Sequence, residues 1–338
     1  MVPTRDHDSL PQVMKARILL TGKNGQVGAE LCRLLPSIAE LAAFGRLELD
    51  LAQADAIRRA VRDIRPHLIV NAAAYTNVDQ AEEHESTAYA VNAKAPAVMA
   101  EEAIKIGAVL VHYSTDYVFD GLKSSPYTES DAPNPANAYG RSKLAGELAI
   151  RGSGVPHLIF RTAWVYATRG RNFLLTILRL STQQQELRVV HDQFGAPTWS
   201  REIASGTVRI LTQLGERGWN PGSFSELCGT YNMTAGGETS WHGFAEAILK
   251  ESSLALRDAP WFATATEGLP QITRCVTPIS TAEYPTTARR PAYSVLSNLL
   301  LLRTFGLQLA DWRTQLHAVF NDEQPASPSA GNSPLVQS

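Results

Sequence analysis

Ala16-Arg17-Ile18-Leu19-Leu20-Thr21-Gly22-Lys23-Asn24-Gly25-Gln26-Val27-Gly28 decides how the rest of the chain is read. Ala16 to Leu20 is an apolar, strand-like run that leads directly into the glycines, and Ala29 to Leu35 then reads as a helix. Strand, glycine turn and helix, in that order, form the entry to a dinucleotide-binding βαβ unit. Gly22 permits the tight turn, Gly25 lets the backbone approach a pyrophosphate, and Gly28 lets the helix pack on the strand. The amides at the helix start, with Gln26 and Val27 in the turn, then face the phosphates. The spacing is GxxGxxG, not the GxGxxG of many dehydrogenases.

Outward from this stretch, short apolar runs alternate with helical patterns, the signature of a parallel sheet with helices on its faces. Leu41 to Phe44 is a second strand, Ala54 to Ile64 a helix, and His67 to Asn71 a buried strand ending in Asn71-Ala72-Ala73-Ala74. Small residues there would let a cofactor lie against the backbone, or serve ordinary close packing. Ala81 to Ile106 reads as one helix carrying Asn92, and Val109 to Tyr113 as the strand that delivers Ser114-Thr115-Asp116 to its carboxyl end. Ligands of open α/β sheets sit beyond those ends. Leu158 to Arg161 is a later strand and Phe173 to Leu180 a helix; beyond Arg188 the pattern loses regularity.

The fold class expected is therefore α/β, a Rossmann-like doubly wound parallel sheet with a smaller α+β substrate domain. The nucleotide-binding domain is placed at 16–160, with returns to it at 186–216 and 240–252. The substrate domain takes 161–185, 217–239 and 253–321. Residues 1–15 read as a disordered extension, Met14 being a plausible translation start, and 322–338 as a flexible tail rich in Pro, Ser, Ala and Gly.

Tyr139-Gly-Arg-Ser-Lys143 follows the Ser-Thr-Asp. A tyrosine and a lysine four apart share one helix face. A phenol titrates near ~10, too high for ready exchange at neutral pH. A cation at roughly 4 Å in a shielded cleft is worth about 4 kcal/mol, so Lys143 is expected to lower the Tyr139 pKa and tune it as a proton donor to a carbonyl. The bland alternative is an exposed helix face, and the spacing alone does not choose.

Composition sets limits. The chain has 338 residues, enough for a large core, and a net charge of -2 with no Lys/Arg block, which argues against a general nucleic-acid binder. Three cysteines (Cys32, Cys228, Cys275) show no metal spacing and suit a reducing, cytoplasmic setting. No apolar run approaches a membrane span, and the first 14 residues lack a signal-peptide core.

TGKNGQVG, VNAAAYTNVDQAE, HYSTDYVFDG, YGRSKLAGE, FRTAWVYA, DQFGAPTW and RPAYSVL occur in this order between about Ala16 and Phe320. On these motifs the chain resembles the extended type of the short-chain dehydrogenase/reductase superfamily and, within it, the dTDP-4-dehydrorhamnose reductase family. The resemblance implies reduction of the C4 carbonyl of dTDP-4-dehydro-β-L-rhamnose, with Tyr139 as proton donor, Lys143 on the nicotinamide ribose and Thr115 orienting the carbonyl oxygen. It places Asp116 and Trp164 against the sugar nucleotide, although a lone Trp164 could equally be core. Asn172, Arg290 and Tyr293 are further substrate candidates, Arg290 having a structural ion pair as its alternative. Asp79 and Glu82 read as structural. Another nucleotide-sugar reductase or epimerase, or a non-catalytic NADP-binding subunit, remains an alternative. Thr115 is followed by Asp116-Tyr117 rather than Asp-Glu, which argues against a dehydratase.

For the cofactor, the expected contacts are Gly22, Gly25, Gln26, Val27, Gly28, Arg46, Asp50, Leu51, Ala72, Ala73, Ala74, Tyr139 and Lys143. The second strand is read as ending at Phe44-Gly45-Arg46, offering an arginine and no carboxylate, which favours the 2′-phosphate of NADPH over NADH. Otherwise Arg46 simply faces solvent. Asp50-Leu51 lies near the adenine by the family resemblance. Some family members are magnesium-linked dimers. Here Glu30 is suitably placed, but Arg201 and Arg313 stand where further acidic ligands are expected, so no metal site is assigned and a homodimer is left open. The expected partner is a nucleotide sugar, with no nucleic acid and no membrane.

Overall fold

The computed structural model describes residues 16–254 and 259–321. The expected N-terminal extension, Met14 and the C-terminal tail lie outside the described residues.

In the first half, the strands are β1 (Arg17–Thr21), β2 (Glu40–Phe44), β3 (Leu68–Asn71), β4 (Val109–Thr115) and β5 (His157–Thr162). Between them run helices α1 (Gln26–Leu34), α2 (Ala54–Ile64), α3 (Val78–Glu83), α4 (Glu85–Tyr89), α5 (Ala95–Ile106) and α6 (Ala138–Ser153). The second half adds β6 (Val165–Tyr166), α7 (Phe173–Ser181), β7 (Glu186–Val190), β8 (Phe194–Gly195), β9 (Thr198–Trp199), α8 (Ser200–Gly215), α9 (Pro221–Ser225), β10 (Gly229–Asn232), β11 (Thr239–Ser240), α10 (Trp241–Leu254), α11 (Pro260–Thr266), β12 (Cys275–Ile279), α12 (Leu299–Phe305) and α13 (Trp312–Phe320).

The main sheet has six parallel strands in the order β10-β5-β4-β3-β1-β2. Its apolar runs are continuous because both faces are covered. With a side-chain period of two, Ile18, Leu20, Val70, Val111 and Phe160 enter the core beneath α1 and α8, among Leu31, Ile203 and Leu211. Leu19, Ile69, Leu110 and Ile159 enter the opposite core with Ile57, Val61, Met99 and Ile150 of α2, α5 and α6. The chain crosses from one face to the other between β1 and β3, the switch point at which such sheets open a ligand crevice.

Two local expectations change. The single helix over 81–106 is broken: α3 ends at Glu83 with His84 as its cap, and residues Ala90–Lys94 form a π-turn between α4 and α5. That turn directs Asn92 inward, where its amide accepts from Tyr75 N (2.8 Å) and donates to Tyr75 O and Ser142 Oγ (both 3.0 Å). The returns of the chain to the main sheet also differ. Residues 186–190 pair with β12, not with the sheet, and α10 packs on α7 and α13 in a separate core around Phe244, Tyr166 and Trp312. The sixth sheet strand is instead β10, inside a stretch expected in the smaller domain, while α8 does return to pack on α1.

Candidate functional site

Four strands deliver their ends to one crevice. After β1 the turn is held by Gly25 N donating to Gly22 O (2.9 Å). Gly22 takes φ +78°, and a Cβ on it would stand 2.7 Å from Ala73 N, so the turn lies directly on the Ala72-Ala73 backbone. A Cβ on Gly28 would reach 2.0 Å from Gly22 O, which is why the helix can begin so close to the strand. Gly25 caps α1 without a side chain, leaving its first amides open toward the crevice. These are conditions that suit a pyrophosphate. Gln26 closes the far side, accepting from Asn172 Nδ2 (3.0 Å) and donating to Val165 O (3.4 Å).

At the end of β4, the buried Thr115 hydroxyl donates to Asp116 Oδ1 (2.9 Å) and accepts from Tyr117 N (3.1 Å). It lies beside the phenol of Tyr139, whose pKa burial raises and the Thr115 hydroxyl partly offsets. Tyr139 projects from the first turn of α6, which is capped by Asn137 accepting from Gly140 N (2.8 Å). Gly140 lets α6 approach, since a Cβ there would meet Tyr117 O at 2.1 Å. The Tyr139 ring packs edge-on against Tyr117 at 5.8 Å. Asp116 is buried, and its Oδ2 has no hydrogen-bond partner. Burial pushes its carboxyl up to about 6.

Lys143 overturns one expectation. Its ammonium does not depress the phenol in this structure: burial raises the Tyr139 pKa, and Asp116 and Tyr117 add to the rise. Lys143 Nζ instead donates to Tyr113 O (2.6 Å) and meets His112 Nε2 (3.1 Å). Burial lowers the Lys143 pKa to about 8, with the Glu147 carboxylate acting the other way. Four-residue spacing fixes the helix face but not where a flexible side chain ends.

The β2 end brings a second correction. Arg46 is exposed, without an ion-pair partner among the described residues. A carboxylate is nevertheless present: Glu48 folds back to accept from Gly45 N (2.7 Å) and pairs with Lys23 of the glycine turn. Asp50 caps the following turn by accepting from Ala52 N (3.0 Å), and Leu51 is buried.

Among the substrate candidates, Trp164 has a left-handed backbone (φ +45°) and stacks on Trp241 with centroids 3.5 Å apart and planes 3° off parallel. Gly195 lies against its edge, where a Cβ would come within 2.4 Å of the indole. A bulky residue at positive φ is strained, and such strain concentrates at functional sites. Asn172 is otherwise engaged: its Oδ1 caps α7 through Leu175 N (3.1 Å), and its Nδ2 donates to Gln26, Ala167 O and Arg169 O. Arg290 adopts its structural alternative, pairing with Asp79 (2.7 Å) and donating to the Tyr117 hydroxyl (3.2 Å). Tyr293 donates to Glu238 (2.7 Å). Glu82 accepts from Ala138 N (2.7 Å) and so anchors the start of α6.

Glu30 is bound by guanidinium groups, Arg33 at 3.0 Å and Arg201 at 3.3 Å. Arg313 lies over the Trp312 ring. No group of His, Cys, Asp or Glu among the described residues could hold a metal ion.

Reading the sequence did not single out His112, Asn71, Glu48 or Trp241 as part of this region. His112 had a visible signal, being a side chain that titrates near neutral pH inside an otherwise apolar and aromatic run.

Fold and site together define an oxidoreductase of the Rossmann type. Residues 15–324 match the model of the RmlD substrate binding domain, and the chain belongs to that family. A dTDP-4-dehydrorhamnose reductase of Burkholderia thailandensis is 50% identical over 298 residues, covering 88% of this chain and 95% of the relative. The enzyme of that name from Escherichia coli K12 is 38% identical over 309 residues, covering 90% and 97%. The crystal structure of dTDP-4-dehydrorhamnose reductase from Bacillus anthracis in complex with NADP superposes with a TM-score of 0.78 at 34% identity, covering 91% of this chain and 99% of that one.

Proposed function

We propose that this protein reduces the C4 carbonyl of dTDP-4-dehydro-β-L-rhamnose to give dTDP-β-L-rhamnose, using NADPH. The observation that carries the reading is the meeting of the Thr115 hydroxyl and the Tyr139 phenol at the carboxyl end of β4, in the same parallel sheet whose first strand leads into the glycine turn. The family's curated reductases give the substrate class its support.

When bound, a reduced nicotinamide dinucleotide would supply the hydride for the carbonyl carbon. The glycine turn and the open amides of α1 would hold its pyrophosphate, and the backbone at Ala72, Ala73 and Ala74 would flank it. Thr115 would turn its single hydroxyl hydrogen from Asp116 to the carbonyl oxygen and so orient it. Tyr139 passes its proton to that oxygen as negative charge develops there; its raised pKa keeps the phenol protonated until then. Lys143, which rests on Tyr113 O and His112, would turn to hold the nicotinamide ribose. Asp116, with a free buried oxygen, accepts from a sugar hydroxyl, and Trp164 offers a flat apolar face to the ring.

The NADP bound to the Bacillus anthracis relative supports the same dinucleotide here. Preference for its 2′-phosphorylated form rests on Arg46, since Lys23 is already neutralised by Glu48. The guanidinium-bound Glu30 does not fit a magnesium ligand, so activity should survive a chelator. No helix among the described residues is long and apolar enough to cross a membrane, and three free cysteines suit a cytoplasmic enzyme.

NADPH oxidation with the 4-keto sugar nucleotide tests the reading. Tyr139→Phe removes one hydroxyl and should cut kcat by about 10²–10⁴ with cofactor affinity nearly unchanged. Wild-type turnover in that variant would remove the proton donor from the mechanism.

A further inference from the structure

His112 sits fully buried in the middle of β4, where an apolar residue would cost less. It is held in a chain of hydrogen bonds that crosses three strands and ends on α6. Thr21 Oγ1 meets Asn71 Oδ1 at 2.7 Å, Asn71 Nδ2 meets His112 Nδ1 at 3.0 Å, and His112 Nε2 meets Lys143 Nζ at 3.1 Å.

Ala73 N carries only a hydrogen, and it points at Asn71 Oδ1 (3.3 Å), which fixes that atom as the amide oxygen. Asn71 therefore offers His112 an NH₂ group, which donates and cannot accept. His112 Nδ1 must be bare to receive it. Burial and the neighbouring Lys143 both hold the imidazole well below its ordinary pKa, so the ring is neutral and its single proton is on Nε2. That N–H faces Lys143 Nζ, which also donates to Tyr113 O (2.6 Å). An ammonium has no lone pair and would oppose the imidazole N–H. A neutral amine has one lone pair and two hydrogens, and it satisfies both neighbours.

We propose that His112 is a positioning residue for Lys143: Asn71 fixes it as the Nε2–H tautomer, and that N–H donates to the neutral-amine form of the lysine and holds it toward β4. The inference rests on the reading of Lys143 as part of the reductase site. The other groups around the pair are consistent with it. Glu147 on α6 favours the ammonium, but its carboxylate is occupied by Arg161 of β5 (2.6 Å) and by Ser114 of β4 (2.5 Å). The Tyr113 phenol turns away to Thr207 (2.7 Å), and Thr21 and Asn71 are uncharged. Burial of Lys143 acts in the same direction as the imidazole N–H, and together they bring proton exchange on the amine into the working pH range.

Long-range ¹⁵N–¹H correlation of histidine-labelled protein reads the tautomer directly, without substrate or turnover. Failure of the reductase reading would therefore leave this measurement intact. The His112 ring is identified by its loss in His112→Gln or, should that variant not fold, by its through-space contact with the Lys143 side chain. The expected result is a bare Nδ1, a protonated Nε2, and a Lys143 titration midpoint at or below about 8. Asn71→Asp offers an acceptor to Nδ1–H and turns the ring to the other tautomer, which should raise that midpoint by roughly one unit. An Nδ1–H tautomer, an imidazolium, or a Lys143 midpoint near the ordinary ~10.4 would overturn the proposal.

Discussion

Asp116→Asn should make the protein more stable and less active at the same time. The carboxyl is buried, one of its oxygens has no partner, and its pKa rises from 3.8 to about 6. A raised carboxylate pKa means the folded chain holds that proton more tightly than the unfolded chain. The penalty is therefore absent below the unfolded value, grows as pH rises from about 4 to 6, and is complete above. Two units correspond to about 3 kcal/mol. The asparagine NH₂ would inherit the unpartnered position at a cost of about 1–2 kcal/mol, which leaves a net gain of about 1–2 kcal/mol. With a urea slope of about 3 kcal/mol per molar, the unfolding midpoint at about pH 7.5 should move up by roughly 0.3–0.7 M. Near pH 3.5, below the unfolded carboxyl pKa of about 3.9, the ionisation penalty is absent and the gain should turn into a loss of about 1–2 kcal/mol. If the variant is no more stable at neutral pH, or is equally stabilised in acid, Asp116 does not carry the strain assigned to it.

Other outcomes can be measured alongside. Arg161→Met strips the partner from Glu147 in a pair whose side chains are only 2% and 0% exposed, and should lower unfolding free energy by about 3–5 kcal/mol in urea titrations. Gly28→Ala puts a methyl group 2.0 Å from Gly22 O; the expected cost is about 1–3 kcal/mol with cofactor binding lost, and an undisturbed dinucleotide affinity would contradict the tight turn. Glu48→Gln releases Lys23 and removes the carboxylate at the end of β2, so the NADPH-to-NADH ratio of kcat/KM should rise roughly tenfold. An unchanged ratio would mean that Glu48 does not sense the adenosine end of the cofactor.

The strands were legible because parallel strands buried on both faces must be apolar throughout, and α2 was legible to the residue because its pattern repeats cleanly over Ala54–Ile64. The break near His84 and the π-turn were not, since they exist to bring Asn92 to Tyr75 and Ser142, partners 17 and 50 residues away. β10 was missed for a similar reason. Gly229–Asn232 becomes a strand by pairing with β5, and a four-residue segment carries little signal of a distant edge. At the site, the motif residues of the crevice were readable from their order. The partners of Lys143, Asn172 and Arg290 were not, because long polar side chains choose among several neighbours that only the assembled fold brings within reach.

Trp164 and Trp241 lie face to face at 3.5 Å and nearly parallel. At that separation two indoles no longer absorb independently, and their coupled transitions should give a paired positive and negative band in circular dichroism. The crevice thus contains its own optical label. Any ligand that slides against Trp164 or parts the two rings would announce itself in the spectrum, with no dye attached and no turnover needed.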